Sequence, residues 1–285
     1  MKRFIEALHK GYGQSFEVDR VLFRDKTEHQ DLIIFETPTF GRVMALDNIV
    51  QVTTRDEFVY HEMMAHVPIL ARACAMGEVA DVLIIGGGDG GILREVLRHQ
   101  SVSRVVMVEI DRAVVDLAQE YFPDISAGAF DDARTELIIA DGVKFVAETD
   151  RRFDVVIVDS TDPVGPGEVL FRESFYADCH RVLKAGGVLV TQNGVPFFQP
   201  QEVANTVQRM GKSFKDVGFY TAVVPTYVGG LMALGWGCDD AALRDVSLEA
   251  LQQRFKAAKI DTRYYSPEMH KAAFALPPFI RDLMR

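Results

Sequence analysis

The stretch VLIIGGGDGGILREVL, residues 82–97, constrains the fold more than any other part of the sequence. A short apolar run leads into a glycine-rich turn, and a helical pattern then places Leu93, Val96 and Leu97 on one face. Glycines permit positive φ and close approach of a ligand to the backbone, which predicts a nucleotide-type turn. A tight turn without a ligand has the same local pattern. Asp89 is unusual here, because a carboxylate repels a pyrophosphate and attracts a cation.

Composition and charge disfavour several classes of function. The chain has 285 residues, of which 48% are hydrophobic, enough for one large domain with or without a small second one. Its net charge of −10 disfavours nucleic acid and anionic membranes and favours cationic partners, although solubility alone also accounts for it. The N-terminus lacks a signal-peptide pattern, and no apolar run reaches the ~18 residues of a membrane span. Three separated cysteines predict reduced thiols in a cytoplasmic protein.

Residues 1–54 predict a small N-terminal antiparallel β domain. Its predicted strands cover residues 15–23, 31–35, 41–46 and 49–52, separated by turn residues. A helix over residues 55–70 would join this domain to the rest of the chain. Because antiparallel strands with exposed edges favour pairing with a second copy, we expect a homodimer or a dimer of dimers.

From residue 79 onward, apolar strands alternate with amphipathic helices, which predicts a doubly wound, mostly parallel α/β sheet of the Rossmann type. The predicted strands are 82–85, 105–108, 137–139, 155–158 and 188–191, and the predicted helices are 91–99, 112–121, 142–149 and 172–183. A helix over 201–217, an antiparallel hairpin of 221–225 with 231–236, and a helical tail over 240–285 complete a catalytic domain of residues 55–285.

Acidic residues follow the carboxyl ends of these strands, which is the edge where parallel sheets bind ligands. Glu109 follows the glycines by about twenty residues, a spacing typical of an acid that binds ribose hydroxyls. A helix cap is the alternative, and Asp111 fits that role better. Asp141, followed by Gly142, suits an adenine contact and a helix cap equally.

The fourth predicted strand ends in DSTDPVGPGEVL, where Asp159 and Asp162 precede a loop rich in proline and glycine. Without a ligand these carboxylates would repel each other and Asp89 across the crevice. Turn capping and a divalent-metal site are alternatives, but no obvious His or Cys ligand lies nearby, and we expect neither metal nor prosthetic group. An adenosine half beside a cation half indicates decarboxylated S-adenosylmethionine as co-substrate. S-adenosylmethionine (AdoMet) itself would bring a carboxylate to Asp89.

These stretches resemble the spermidine synthases, the polyamine aminopropyltransferase family, and in particular its bacterial, putrescine-using branch. The resemblance implies a fold of the AdoMet-methyltransferase type. It also implies transfer of the aminopropyl group of decarboxylated AdoMet to putrescine, giving spermidine and 5'-methylthioadenosine. The matching segments are HQDLIIFE (29–36), GRVMALDNIVQ (41–51), RDEFVYHEM (55–63), LIIGGGDGG (83–91), VEID (108–111), IADG (139–142), VIVDSTDPVGP (156–166), QN (192–193), VPTYVGG (224–230) and RYYSPEMHKAAFALP (263–277).

The resemblance implies a role for each candidate residue. Asp159 is implied as the proton acceptor, and Asp89 with His61 as the group that holds the aminopropyl ammonium. The implied cofactor-binding residues are Gln30, His61, Asp89, Glu109, Asp141, Gly142 and Pro166, with Gly86 and Gly88 of the turn. The implied amine-binding residues are Tyr60, Asp162, Tyr227, Gln51, Gln192 and Trp236.

Three other functions share part of this pattern. An AdoMet-dependent N-methyltransferase for a small amine is disfavoured by Asp89. A non-catalytic polyamine-binding protein would not need the pair Asp159 and Asp162. An NAD-linked dehydrogenase shares the glycine-rich turn and the acid that follows it, but leaves the acidic segment 159–162 without a role.

Overall fold

The computed structural model describes residues 2–160 and 170–285, and the described strands form three sheets. A two-stranded antiparallel sheet consists of β1 (Arg3–His9) and β2 (Tyr12–Glu17). A four-stranded antiparallel sheet consists of β3 (Arg20–Lys26), β4 (Asp31–Thr37), β5 (Gly41–Leu46) and β6 (Ile49–Thr53). The predicted small N-terminal antiparallel β domain is confirmed.

The third sheet has seven strands and is mostly parallel, as predicted. Its strands are β7 (Asp81–Gly86), β8 (Arg104–Glu109), β9 (Thr135–Ile139), β10 (Phe153–Asp159), β11 (Leu183–Gln192), β12 (Asp216–Ala222) and β13 (Met232–Cys238). The α-helices are α1 (Glu57–Met76), α2 (Gly91–Leu97), α3 (Arg112–Tyr121), α4 (Pro123–Ser126), α5 (Gly142–Glu148), α6 (Glu173–Val182), α7 (Pro200–Met210), α8 (Leu248–Ala258), α9 (Pro267–Ala273) and α10 (Pro278–Leu283). Among the described helices, none is long and apolar enough to cross a bilayer.

The strand order is β12-β13-β11-β10-β7-β8-β9. The chain runs outward from β7 through β8 to β9 and then returns to build the other half from β10. The carboxyl ends of β7 and β10 therefore lie side by side at the point where the strand order reverses, which is where open parallel sheets bind ligands. The register aligns Asp159 with Gly86 across this point.

Strands β4, β5 and β6 of the four-stranded sheet are mostly buried, which explains their largely apolar sequences, whereas β3 is more exposed. One face packs Leu32, Ile34 and Met44 against α3 and α4, while the other packs Ile33 and Phe35 against the β1–β2 hairpin. The first of these cores joins the N-terminal sheets to the parallel sheet and brings the two parts together above the glycine-rich turn.

Two predicted elements differ from the structure, and one strand was not predicted. The segment predicted as one strand over 15–23 is two strands, because the chain changes sheets at this point: the Val18 amide bonds to Lys2 and the Asp19 amide to Glu36. Strand β1 was not predicted. The helix predicted over 201–217 ends at Met210, and residues 216–222 instead form β12, which pairs along its length with β13.

Asp154, near the start of β10, connects three parts of the chain at the amino end of the parallel strands, and its contribution to stability can be tested. Its carboxylate, 4% exposed, accepts hydrogen bonds from Arg72 at 2.8 Å and from the amides of Ala80 and Asp81 at 2.9 Å. Asp154→Ala would leave Arg72 buried without a carboxylate, and we expect a loss of about 3–5 kcal/mol in the free energy of unfolding, measured by denaturant titration.

The matched control is Asp81→Ala. Asp81 shares the Lys184 ammonium with Asp154, but it is 19% exposed and its Arg104 partner is 43% exposed, so we expect a loss below about 1 kcal/mol. Equal losses in the two variants would contradict the account.

Candidate active site

A cavity of about 480 Å³ opens at the carboxyl ends of β7 and β10, beneath the N-terminal sheets. This volume suits a small organic ligand. The cavity brings together most of the side chains predicted from the sequence: Gln30, Gln51, Tyr60, His61, Gly86, Gly88, Asp89, Glu109, Asp141, Gly142, Asp159, Gln192 and Tyr227.

Three predicted residues do not appear in this lining. Asp162 and Pro166 lie outside the described residues. Trp236 belongs to β13, and its side chain is fully buried against Tyr220 and Phe274, with its indole N–H directed at Cys238. Placing Trp236 in the amine wall was therefore wrong. Trp236 lies on the same side of β13 as the cavity-lining Met232, but four residues further along the strand, where it pairs with Val190 inside the sheet and cannot reach the cavity.

Asp159 ends β10, and its side chain lies over the glycine-rich turn. A Cβ at Gly86, whose φ is +81°, would overlap the Asp159 carbonyl oxygen, so glycine is required for the two strand ends to meet. The Tyr60 hydroxyl donates to Asp159 Oδ1 at 2.6 Å. Burial and the nearby negative charge of Asp89 raise the pKa of Asp159 to about 6, while the Tyr60 hydrogen bond opposes the rise. A carboxylate with this pKa can exchange a proton near neutral pH.

Asp89 lies in the turn itself and is held by two donors. The Gly91 amide donates to Oδ1 at 2.8 Å, and His61 Nε2 lies 3.2 Å from Oδ2. Burial raises the pKa of Asp89, but His61 outweighs it and holds the pKa below its ordinary value. Burial would lower the pKa of His61, but Asp89 and Glu57 on either side of the ring raise it to about 10. Asp89 is thus a carboxylate and His61 an imidazolium.

Glu109, Asp111 and Asp141 surround the other end of the cavity. Asp111 caps α3 by accepting from the Ala113 amide, so the helix-cap alternative for Glu109 does not apply. Burial raises the pKa of Glu109 to about 7. Asp141 caps α5 through the Val143 amide at 2.9 Å and also lines the cavity, so both interpretations of this residue agree with its position.

Gln30 reaches this end from the N-terminal sheet. Its side-chain amide donates to Asp111 Oδ2 at 3.2 Å, and the neighbouring Thr27 hydroxyl donates to the same oxygen at 2.7 Å. These bonds fix the β3–β4 turn over the carboxyl end of β8 and explain how a residue so distant in sequence comes to line the cavity.

Tyrosine and glutamine side chains line the end beyond Asp159. The Tyr227 hydroxyl donates to the Gln51 carbonyl at 2.7 Å, and the Tyr227 ring meets Tyr60 edge to face with centroids 5.6 Å apart. Gln192, at the end of β11, lies in the same wall. Aromatic faces and amide oxygens provide suitable contacts for an alkyl ammonium.

The β1–β2 hairpin completes this end, and the sequence analysis missed it. Glu6, His9 and Tyr12 line the cavity, and both His9 and Tyr12 stack on Phe198, with ring centroids 4.5 and 4.9 Å apart. Phe4, Glu6 and Leu8 lie on one side of β1, and the residues between them, Ile5 and Ala7, are also apolar, so no apolar–polar alternation in the sequence indicates this strand.

Charge distinguishes this cavity from most nucleotide sites. Among the described residues that line it there is no lysine and no arginine. The acidic lining residues are Glu6, Asp47, Asp89, Glu109, Asp141 and Asp159. A site of this composition favours a cationic ligand.

Comparison with known proteins accounts for this arrangement. Residues 57–246 match the model of the spermine/spermidine synthase domain, and residues 3–54 match that of the spermidine synthase tetramerisation domain. The chain belongs to the spermine/spermidine synthase family. The resemblance stated from the sequence motifs is confirmed, and so is the prediction of a transferase of the aminopropyltransferase type.

Relatives from this family match the chain over almost its whole length. The polyamine aminopropyltransferase of Serratia proteamaculans is 54% identical, covering 98% of this chain and 96% of the relative. Polyamine aminopropyltransferase 1 of Pseudomonas aeruginosa is 55% identical with the same coverage. A spermidine synthase solved in complex with the transition-state analogue AdoDATO has a TM-score of 0.92 at 36% identity, covering 99% of this chain and 94% of that one.

The raised pKa of Asp159 predicts a measurable cost to stability. In the unfolded chain this carboxyl ionises at its ordinary pKa near 3.8, whereas in the folded protein it ionises at about 6. Ionisation therefore destabilises the folded state as pH rises between these values. We expect Asp159→Asn, which keeps an acceptor for Tyr60, to be more stable than wild type by roughly 1–3 kcal/mol at about pH 8, and by less at about pH 5, in denaturant titrations.

The exposed Asp116→Asn on α3 is the control for this measurement, with an expected change within about 0.5 kcal/mol at either pH. If the wild type is more stable than Asp159→Asn at about pH 8, the conclusion that ionised Asp159 destabilises the folded protein is wrong.

Proposed function

We propose that this enzyme transfers the aminopropyl group of decarboxylated AdoMet to putrescine and releases spermidine and 5'-methylthioadenosine. The observation that carries the proposal is the pair Asp89 and Asp159, two partly buried carboxylates that repel each other in a cavity whose described lining contains no lysine or arginine. Burying acids in this way is unfavourable unless cations occupy the site.

The choice of donor follows from Asp89. An AdoMet methyltransferase has to accommodate the amino-acid carboxylate of its donor with backbone amides or a basic side chain. Here the turn presents a carboxylate whose pKa His61 keeps low. Decarboxylated AdoMet ends in an ammonium group, which Asp89 would bind, while Glu109 would bind the ribose hydroxyls and Asp141 with Gly142 the adenine. The similar spermidine synthase that was solved with the transition-state analogue AdoDATO supports the choice of reaction.

The reaction needs an unprotonated amine. The pKa of an alkyl amine, ~10.4, lies about three units above neutral pH. Removing the proton to free the lone pair therefore costs roughly 4 kcal/mol. The amine nitrogen then forms a bond to the carbon beside the sulfonium, the carbon–sulfur bond breaks, and its electron pair neutralises the sulfonium to a thioether. Asp159 accepts the amine proton. A sulfonium charge bound next to the amine would lower the amine pKa and so reduce the cost of transferring the amine proton to Asp159 once the donor is in place.

Orientation supplies much of the remaining rate, because the sulfonium is already a good leaving group. Tyr60, Tyr227, Gln51 and Gln192 would hold the amine in line with the carbon–sulfur bond. Asp162, the implied partner of the amine that does not react, keeps that role as a proposal. Trp236 is removed from this set by its position in the core.

We also propose that the protein works as a homo-oligomer. The match of residues 3–54 to a tetramerisation domain supports assembly through the N-terminal sheets, as a dimer or a dimer of dimers. The three cysteines are unpaired, and the cytoplasmic location inferred from them remains a prediction.

A product assay tests the donor and the amine together. Purified enzyme is incubated with AdoMet or its decarboxylated form and with putrescine, cadaverine or spermidine, and products are separated by chromatography. We expect 5'-methylthioadenosine and spermidine from decarboxylated AdoMet with putrescine, and at least about a hundredfold lower turnover with AdoMet, because Asp89 repels the carboxylate of that donor. Release of S-adenosylhomocysteine and a methylated amine would instead identify an N-methyltransferase.

The role of Asp159 predicts a specific pH dependence. In wild type the rate should fall as pH drops through about 6, because the acceptor becomes protonated. Asp159→Asn should lose roughly a hundredfold or more of kcat at neutral pH and should recover as the solution approaches the amine pKa. Near-normal turnover of Asp159→Asn at neutral pH would rule out the proton-acceptor role.

A further inference from the structure

Behind Asp89 and His61 lie two charged side chains, Glu57 and Arg94, that the reaction as described does not use. Glu57, at the first position of α1, has Oε2 2.6 Å from His61 Nδ1, and His61 Nε2 lies 3.2 Å from Asp89. Arg94 of α2 donates to Glu57 from both terminal nitrogens, at 2.9 and 3.3 Å. The four side chains are 2–17% exposed.

The backbone is shaped around these four side chains. Gly91, at the start of α2, has no Cβ, and a Cβ at this position would overlap the His61 ring. Arg94 is anchored in turn by Glu95 at 2.7 Å and by the Ile125 carbonyl at 2.7 Å. The His61 ring is therefore held at both nitrogens, by a carboxylate on each side, in one orientation.

We propose that Glu57, held by Arg94, is a positioning residue for the donor site: it fixes the His61 ring and offsets the His61 charge, so that Asp89 attracts the aminopropyl ammonium at every working pH. The inference rests on the proposed function, because it takes the donor ammonium as the ligand of Asp89.

Charge counting gives the physical reason. An imidazolium beside Asp89 with nothing behind it would cancel the attraction of Asp89 for a cation. With the Glu57 carboxylate on the far side, the three groups Glu57, His61 and Asp89 carry a net charge of −1, and the positive charge of Arg94, which lies behind Glu57, is also paired with the Glu95 carboxylate. His61 keeps its proton throughout the neutral range, since burial lowers its pKa but Asp89 and Glu57 raise it to about 10. The attraction then stays constant with pH.

Glu57→Gln is the informative variant, because its amide can still bond to His61 Nδ1. Without the Glu57 carboxylate only Asp89 opposes the effect of burial, so we expect the pKa of His61 to fall and the ring to begin to lose its proton toward the alkaline end of the neutral range. Below that pKa the imidazolium cancels Asp89 and the donor binds weakly. Above it the ring is neutral and Asp89 acts alone.

Other titratable or charged groups also face His61, and their own titration has to be allowed for. They are Glu57 and Tyr60 of α1, Asp89 of the turn, Arg94 through Glu57, and Asp159 of β10.

The test is calorimetric binding of decarboxylated AdoMet, without amine, to wild type and Glu57→Gln between about pH 6 and about pH 8.5. The ratio of the two dissociation constants at each pH removes titrations common to both proteins. We expect this ratio to be small at the alkaline end and to rise by about tenfold or more toward the acid end. 5'-Methylthioadenosine, which lacks the ammonium group, should bind both proteins equally at every pH.

Two further variants separate charge from structure. Glu62→Gln removes a buried carboxylate from the same helix, one that accepts the amides of residues 263–265 and does not line the cavity. It should lower stability and leave the donor ratio independent of pH. If Glu57→Gln alone does not fold because Arg94 has lost its partner, the double variant Glu57→Gln/Arg94→Gln removes both charges and should give the same rising ratio.

A ratio independent of pH in a folded variant overturns this inference alone, provided that wild type binds decarboxylated AdoMet more tightly than AdoMet. Equal weakening of 5'-methylthioadenosine and donor also overturns it, because that outcome means a general loosening of the pocket. A wild-type protein that binds neither donor overturns the proposed function together with the inference.

Discussion

Buried carboxylates without a lysine or arginine partner in the described cavity lining are the constraint on which the rest of this structure depends. Asp89 and Asp159 meet because β7 and β10 are neighbours and end at the same level, with Asp159 aligned to Gly86. Burial and the repulsion from Asp89 raise the pKa of Asp159, and His61 partly compensates the charge of Asp89. The proposed cationic ligand would relieve the remaining repulsion, so we expect the free enzyme to be less stable at the place where binding is needed.

Compensation by histidine differs in kind from compensation by lysine. A lysine or arginine in the cavity would satisfy Asp89 completely and compete with the ligand. His61 carries its charge between two carboxylates, Glu57 and Asp89, so the group presented to the cavity remains negative. Arg94 lies one layer further back, where it holds Glu57 and does not line the cavity. The charges alternate from Asp89 through His61 and Glu57 to Arg94. In this order a basic residue, Arg94, can stabilise a site for a cation without lining it.

The N-terminal sheets close the cavity that the parallel sheet opens. Gln30 bonds to Asp111 at the end of the cavity that Glu109 and Asp141 line, and the β1–β2 hairpin is fixed to the opposite end by the stacking of His9 and Tyr12 on Phe198. Such a two-part enclosure buries a ligand on sides that the sheet edge alone leaves open. It also explains why the predicted strand over 15–23 is interrupted: Val18 and Asp19 pass from one of these sheets to the other.

The sequence alone established the doubly wound fold, the order of acids after the strands and the family, since strand ends, glycine turns and their spacing are local patterns. Tertiary packing decided the rest. It placed β1 across the cavity, turned Trp236 into the core, ended α7 at Met210 and aligned Glu57 and Arg94 behind His61. Each of these outcomes depends on contacts between residues far apart in the chain. A pattern within one segment indicates a helix or a strand and its buried face, but not which surface that face meets.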